Sequence, residues 1–355
     1  MNLAGGPEFW SQQRVLLTGH TGFKGAWASL WLERLGAEVH GLALAPDHVP
    51  DLYSRLAPFA GATSTIADVN DLAAVRAAVA AARPTWVLHM AAHPLVRRSY
   101  AEPLLTFATN ITGTAHVLEA LRDAPDLKAA LIVTTDKVYR NDGDGRRFVE
   151  SDRLGGHDPY SASKAGTELV AAAYADSFMT KAGVAVATAR AGNVVGGGDW
   201  SADRLVPDVW RALHTGTPLE LRYPLATRPW QHVLDCLSGY FAFLQALATA
   251  PDLPRALNFG PAAGDAPVTV AEVADIVAKA LASTTGWRQA PGDHPREAPA
   301  LALDADAAAQ ALGWRPLLPA RKALTWSADW YRRFDAGEDA RAITLAQLTA
   351  YEALK

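Results

Sequence analysis

The chain has 355 residues, 33 Lys and Arg against 37 Asp and Glu, and a formal charge of −4; with both signs interspersed, neither nucleic acid nor an anionic membrane is an expected partner. No apolar stretch reaches the roughly 20 residues of a membrane helix, and residues 1–8 lack the basic and apolar regions of a secretory signal. Cys236 is the single cysteine, which excludes an intramolecular disulfide and a cysteine-based zinc site.

A cytoplasmic enzyme without a metal, built as two modest domains or one large one, is the expected class. In chain order, Arg14–Thr18 is a short apolar run ending in a glycine-rich turn. An amphipathic helix carrying Trp27, Leu30, Trp31 and Leu35 follows, then strand-like runs at 38–44, 86–90, 130–134 and 184–190. Helical patterns lie between them at Leu72–Ala82, 110–122 and 161–181. Strand and helix alternating at this spacing predict parallel strands joined by right-handed crossovers, an α/β doubly wound sheet of the Rossmann type. After Arg190 the texture changes. Residues 192–204 read as loop, 207–213 as helix and 219–223 as a strand, with further helices at 270–281, 305–312 and 320–333. The expected division is a dinucleotide domain over 1–190, rejoined by 232–262 through a helix at 232–248, and a smaller α/β substrate domain over 191–231 and 263–355.

Thr18-Gly19-His20-Thr21-Gly22-Phe23-Lys24-Gly25 joins the first strand to the first helix. Glycines there let the backbone turn tightly and approach a pyrophosphate lying on the positive helix N-terminus. Three glycines alone also suit an ordinary turn; their place at the start of a βαβ pattern makes Gly19, Thr21, Gly22, Phe23, Lys24 and Gly25 a candidate cofactor loop. The second strand ends with only Asp47 nearby to hold an adenosine ribose and no Arg for a 2′-phosphate, which favours NAD over NADP. Asp68 and Val69 are placed to meet the adenine or to make a strand-end turn. Ala91 and Ala92, after His89-Met90, are small enough for backbone to lie against the cofactor. Asn110 opens a helix, where capping and catalysis are both open.

Asp158-Pro159-Tyr160 reads as a helix start, which puts Tyr160 and Lys164 on one face. A phenol of pKa about 10 is a poor base at neutral pH, so the expectation is that the Lys164 ammonium and a positive nicotinamide ring lower it. Many helices carry Tyr and Lys at this spacing; here they follow a dinucleotide loop and the strand-terminal Thr135-Asp136-Lys137. Thr135 would hydrogen-bond the same substrate oxygen as Tyr160. Asp136 and Lys137 form an acid/base pair that alcohol oxidation alone does not need. Once a sugar C4 is a ketone, the C5 proton is acidified, and loss of it with the C6 hydroxyl gives an enone that accepts hydride at C6. Asp136 is the candidate acid, requiring a raised pKa, and Lys137 the candidate base, requiring a depressed one.

These residues, with Pro94-Leu95-Val96-Arg97-Arg98-Ser99-Tyr100, Leu154-Gly155-Gly156-His157-Asp158-Pro159-Tyr160, Ala189-Arg190-Ala191-Gly192-Asn193-Val194-Val195-Gly196-Gly197-Gly198-Asp199-Trp200 and Ala226-Thr227-Arg228-Pro229-Trp230-Gln231-His232-Val233, carry a resemblance over nearly the whole chain. It resembles the CDP-glucose 4,6-dehydratases of the extended short-chain dehydrogenase/reductase family. Related dTDP-glucose dehydratases have Thr-Asp-Glu where this chain has Thr135-Asp136-Lys137. The resemblance implies bound NAD, a CDP-sugar substrate, a homodimer or homotetramer, and diphosphate contacts from Asn193, Arg228 and Arg204. It also implies a nucleoside contact from Glu297. His93 stands where relatives commonly have Gln, beside the expected sugar pocket, and Val138 where they often have Cys. The alternatives it leaves are another nucleotide-sugar dehydratase, epimerase or decarboxylase of the same fold, or a non-catalytic NAD-sensing relative.

Overall fold

Every side chain of Ala129–Val133 is buried, which places this run inside a sheet covered on both faces. The computed structural model describes residues 6–143, 145–250, 252–294 and 298–354. Its main sheet has seven strands: β1 (Arg14–Thr18), β2 (Glu38–Ala43), β3 (Ala62–Ile66), β4 (Trp86–His89), β5 (Ala129–Val133), β6 (Ala185–Ala191) and β7 (Ala256–Phe259). All pairings are parallel, in the order β7-β6-β5-β4-β1-β2-β3. The helices that matter below are α1 (Phe23–Arg34), α2 (Leu72–Ala82), α3 (Gly113–Leu121), α4 (Pro159–Tyr174), α5 (Leu205–Thr215), α6 (Val233–Leu247), α7 (Val270–Ala280), α8 (Ala320–Asp335) and α9 (Ala340–Glu352). Side chains alternate across the sheet. Val15 and Leu17 join Trp27, Trp31 and Phe241 of α1 and α6 on one face; Leu16, Val87 and Ile132 join Val79, Val117 and Ala171 of α2, α3 and α4 on the other. The sheet is therefore doubly wound, and chain progression reverses between β1 and β4. Ligands of open α/β sheets bind outside the strand C-termini at that reversal.

The expected strands and helices are present, with ends displaced by a few residues. Several elements escaped the sequence reading, among them the short strand Asn193–Val195 inside the expected 192–204 loop, and β3, β7 and α9. β3 is an edge strand whose Thr63, Ser64, Thr65 and Ile66 are exposed, so it lacks an apolar signature. β7 is four residues long. α9 is capped by Asp339, which accepts from Ala342 N, and its alanines and threonines give a weak stripe. The helix expected over 110–122 begins instead with a π-turn at Ala108–Thr112 before α3, and 161–181 ends in a π-turn at Ala175–Met179.

Beyond β6, short pairs replace the wide sheet: Asn193–Val195 with Trp230–His232, Leu219–Leu221 with Trp287–Gln289, and Thr227–Arg228 with Val268–Thr269. α5, α7 and α8 pack together over them, around Trp200, Trp330, Tyr331 and Phe334. The apolar core runs without a break from Trp10 to Tyr351. α9 packs on α1: Tyr351 meets Trp31 edge-on, and Glu352 accepts from Trp31 Nε1 at 3.2 Å and Arg34 Nε at 3.0 Å.

Three buried histidines sit at the strand ends and under α6. His89 is held by Thr18 Oγ1 at 2.7 Å and Thr114 Oγ1 at 3.0 Å, His20 by Ser64 Oγ at 2.7 Å, and His232 accepts from Leu234 N at 3.2 Å. Burial pushes their pKa values down, to about 3 for His89 and His232 and about 4 for His20. Between these values and 6.5 the unfolded chain binds protons that the native state refuses, so stability falls as pH drops below 6.5. Each histidine contributes a slope of up to about 1.4 kcal/mol per pH unit. Urea midpoints measured at pH 7, 6 and 5 are expected to fall steeply over the last two; a flat profile would contradict neutral, buried rings.

Candidate active site

At the end of β1, Thr18 Oγ1 accepts from both Met90 N and Ala91 N at 3.1 Å, which pulls the β4 terminus against the following loop. Gly19 then takes a left-handed φ of +75°, and a Cβ there would lie 2.8 Å from Ala91 N. A Cβ on Gly25 would lie 2.1 Å from the Gly19 carbonyl oxygen. Only glycine closes this loop at both positions. Gly22 leads into α1 with no side-chain cap, which leaves the first-turn amides of Phe23, Lys24 and Gly25 for an anion. Thr21 Oγ1 donates to Leu44 O at 2.8 Å, fixing the loop to the end of β2.

α4 starts as its sequence predicts. Asp158 caps it by accepting from Ser161 N at 2.9 Å, and Pro159 fills the first turn. Tyr160 and Lys164 face a cleft of about 660 Å³ that Phe23, Lys24, Ala92, Thr135 and Lys137 also line. Lys164 Nζ donates to Val133 O at 3.0 Å. Burial, with Lys24 nearby, brings its pKa down to about 7. The expected acidification of Tyr160 by Lys164 is not what the protein alone provides. Burial raises the phenol to about 12, and the groups opposing that rise are Arg204 and the Thr135 hydroxyl. The reason is geometric: Lys164 is turned to the β5 carbonyl.

Asp136 is fully buried and is not part of the cleft wall. Its Oδ1 accepts from Thr135 Oγ1 at 2.8 Å and Lys137 Nζ at 3.4 Å, while Oδ2 has no hydrogen-bond partner among the described residues. The strand end carrying these residues is anchored from behind. Glu168, one turn beyond Lys164, accepts from Thr134, from Thr188 at 2.7 Å and from Arg190 at 3.0 and 2.8 Å. Arg190 also donates to Tyr139 Oη and Glu150 O, both at 2.9 Å.

Other expected site residues lie elsewhere. The His93 ring turns away from the cleft, to Thr106 Oγ1 at 2.8 Å and Glu102 Oε2 at 3.1 Å, because helices after β4 surround it with polar partners. Asn110 is no N-cap. It sits inside the π-turn, accepts from His93 N at 2.8 Å and donates to Ser163 Oγ at 2.8 Å, so it ties the β4 loop to α4. Asp68 Oδ1 accepts from Asn70 N at 2.9 Å, and Val69 is buried against Gly113 of α3. Glu297 lies outside the described residues. Asn193, Arg204 and Arg228 do line the cleft, and they also line a second one of about 310 Å³ that continues between α5 and Leu219–Leu221. Sequence reasoning missed Arg97, Asp203 and Arg222 on the shared wall; Arg97 stood in plain view beside the strand end, in Pro94-Leu95-Val96-Arg97.

Residues 15–260 match the NAD dependent epimerase/dehydratase family. The chain belongs to that family. It is 40% identical to a CDP-glucose 4,6-dehydratase of Salmonella typhimurium over 97% of both chains. Among solved structures it is similar to a UDP-glucose 4-epimerase of Thermus thermophilus in complex with NAD, with TM-score 0.78, 26% identity and 90% and 99% of the two chains covered. It shares its fold with a dTDP-glucose 4,6-dehydratase of Bacillus anthracis, with TM-score 0.76, 21% identity and coverage of 91% and 98%.

Proposed function

We propose that the chain is a hydro-lyase that converts CDP-glucose to CDP-4-keto-6-deoxyglucose and water. The observation that carries the reading is that Thr135, Lys137, Tyr160 and Lys164 face one cleft, with Asp136 buried against two of them, and that this cleft opens into an arginine-lined one. The similarity to the Salmonella protein supports the CDP-sugar. The glycine cradle of Gly19, Gly22 and Gly25 and the uncapped first turn of α1 fit a dinucleotide pyrophosphate, and this reading assigns Asp68, Val69 and Ala92 to the same cofactor. NAD, when bound there, supplies a hydride acceptor for the sugar C4 and a hydride donor for C6, so the cycle has no net redox change.

Tyr160 takes the C4 hydroxyl proton, helped by the Arg204 charge and the Thr135 hydrogen bond that oppose its raised pKa. Lys137 removes the C5 proton. Asp136 is the acid for the departing C6 hydroxyl; buried behind the cleft wall, it passes that proton through Thr135 or Lys137, which its Oδ1 contacts at 2.8 and 3.4 Å. Asn193, Arg204 and Arg228 hold the diphosphate. In this reading residues 1–190 and 232–262 bind NAD, and the remaining segments bind the nucleotide sugar. Exposed apolar side chains on two helices that pack together, Leu104, Leu105 and Phe107 on one and Leu169 on α4, support a homodimer or homotetramer. No helix among the described residues is long and apolar enough to cross a membrane, in keeping with the cytoplasmic location we propose.

Incubation with CDP-glucose is expected to give a product with the ultraviolet absorbance of a 4-keto sugar in base. No product from CDP-, dTDP-, UDP- or GDP-glucose would sink the reading. A plain C4 epimerase has no use for an elimination pair, so Lys137→Ala provides a sharper check. The variant is expected to lose solvent deuterium incorporation at C5 and about 10²-fold or more in dehydration rate; normal exchange at C5 would remove Lys137 from the base role.

A further inference from the structure

The sugar cleft and the nucleotide cleft share one wall, and the charged groups on it are Arg97, Arg204, Arg222, Arg228, Asp199 and Asp203. A nucleotide sugar with its hexose beside Tyr160 and its nucleoside beyond Asn193 must pass its diphosphate along this wall. Four guanidinium groups against two carboxylates suit a dianion. Asp203 is the discordant member. Its Oδ1 lies 2.5 Å from Arg97 Nη1, so one of the four guanidinium groups on the shared wall is already occupied. The Asp203 backbone is left-handed, with φ of +59°, a conformation that favours Gly, Asn and Asp. The next residue, Arg204, reaches to Pro94 O at 3.4 Å. Residues 203–204 therefore lean across the cleft onto 94–97.

We infer that Arg97 is a further substrate-binding residue, and that Asp203 holds its guanidinium in the position the substrate diphosphate takes over. This rests on the nucleotide-sugar reading above and names one more group that binds the diphosphate in that site. The exchange is physically easy. The side chains of Arg97 and Asp203 are 55% and 34% exposed, and ion pairs so open to solvent are weak. A phosphate oxygen pair offers the same fork two acceptors and a larger charge. On exchange the Asp203 carboxylate moves away from the incoming anion, and the contact of residue 203 with the β4 loop is released.

Isothermal titration with CDP, and with inorganic pyrophosphate as a probe that lacks base and sugar, tests this. Arg97→Ala is expected to weaken both at least 10-fold, with Arg97→Lys restoring part of the loss. Asp203→Asn keeps a residue that tolerates the left-handed backbone, and is expected to tighten both about 3- to 10-fold. Most of that gain should vanish in the Arg97→Ala background, since Asp203 acts by occupying Arg97. CDP binding and turnover indifferent to Arg97→Ala would overturn the inference while leaving the dehydratase reading intact, as would unchanged or weaker CDP binding by Asp203→Asn. Pyrophosphate binding that follows Arg97 and Asp203 in a protein that ignores CDP would uphold the anion site and overturn the CDP-sugar reading. Binding of neither probe would overturn both.

Discussion

Tyr160→Phe is expected to lower kcat by about 10³-fold and to leave the fold intact, within the range for loss of a positioned acid/base group. Two other phenols reach the cleft, and neither is placed to substitute. Tyr139 Oη donates to Asn258 Oδ1 at 2.7 Å and accepts from Arg190, and burial lifts its pKa to about 12. Tyr100 lies on the outer wall and is nearly half exposed. Because burial also raises Tyr160, Phe removes a polar group without opening a void, and the melting temperature should hold or rise. The residual rate is expected to lose the rise with pH that a phenol above neutrality imposes on the wild type. A Phe variant within tenfold of wild type would show that another group removes the C4 proton. Arg204→Gln makes a companion measurement: it withdraws a charge that favours phenolate, so the rising limb of the kcat profile should move to higher pH.

Glu168→Leu is expected to destabilise the native state by about 3–5 kcal/mol, the range for breaking a buried ion pair from one side. Glu168 and Arg190 are 4% and 4% exposed, and the guanidinium left behind has no water to turn to. Thr134 and Thr188 lose their acceptor in the same step, which adds the desolvation of unpaired hydroxyls. Urea unfolding of wild type, Glu168→Leu and Glu168→Leu/Arg190→Met gives the decisive comparison. The double variant should recover much of the loss, since removing both charges leaves no orphan. A single variant less than about 1 kcal/mol below wild type would mean that solvent reaches the pair. Glu168 stands one turn from Lys164 and bonds the residue before Thr135, so the soluble fraction of the variant should also show reduced kcat.

How much of this was legible in the chain follows from how local each signal is. The dinucleotide loop was readable because steric demands at Gly19 and Gly25 leave a mark in the sequence itself. α4 was readable because Asp158, Pro159 and the Tyr160–Lys164 spacing are all within one turn and a half. β3 was not, since an exposed edge needs no apolar residues, and α9 was not, since its buried face is defined by α1 some 300 residues away. His93 misled for a related reason. Its place next to Ala92 puts its backbone at the cleft, but the ring direction is decided by Glu102 and Thr106, which arrive from later helices. Tyr160 shows the same limit in electrostatic form. A Lys four residues on suggests an acidified phenol, whereas the real balance is set by burial and by Arg204 from the other half of the chain.

The packing of α9 on α1 bears on how the protein is made. Trp31 and Arg34 are finished early by the ribosome, but their partner Glu352 is synthesised 321 and 318 residues later. At about 5–20 residues per second, that interval is roughly 15–60 s. Through all of it the outer face of the first helix lacks its cover, and over the last 116 residues Asp235 too lacks the Tyr351 hydroxyl that reaches it at 2.7 Å. The nascent sheet must therefore wait with a tryptophan-bearing surface open to whatever else is in the cell. Chaperone demand should consequently track translation speed, and slow codons late in the message would lengthen the exposure while slow codons before Trp31 would not.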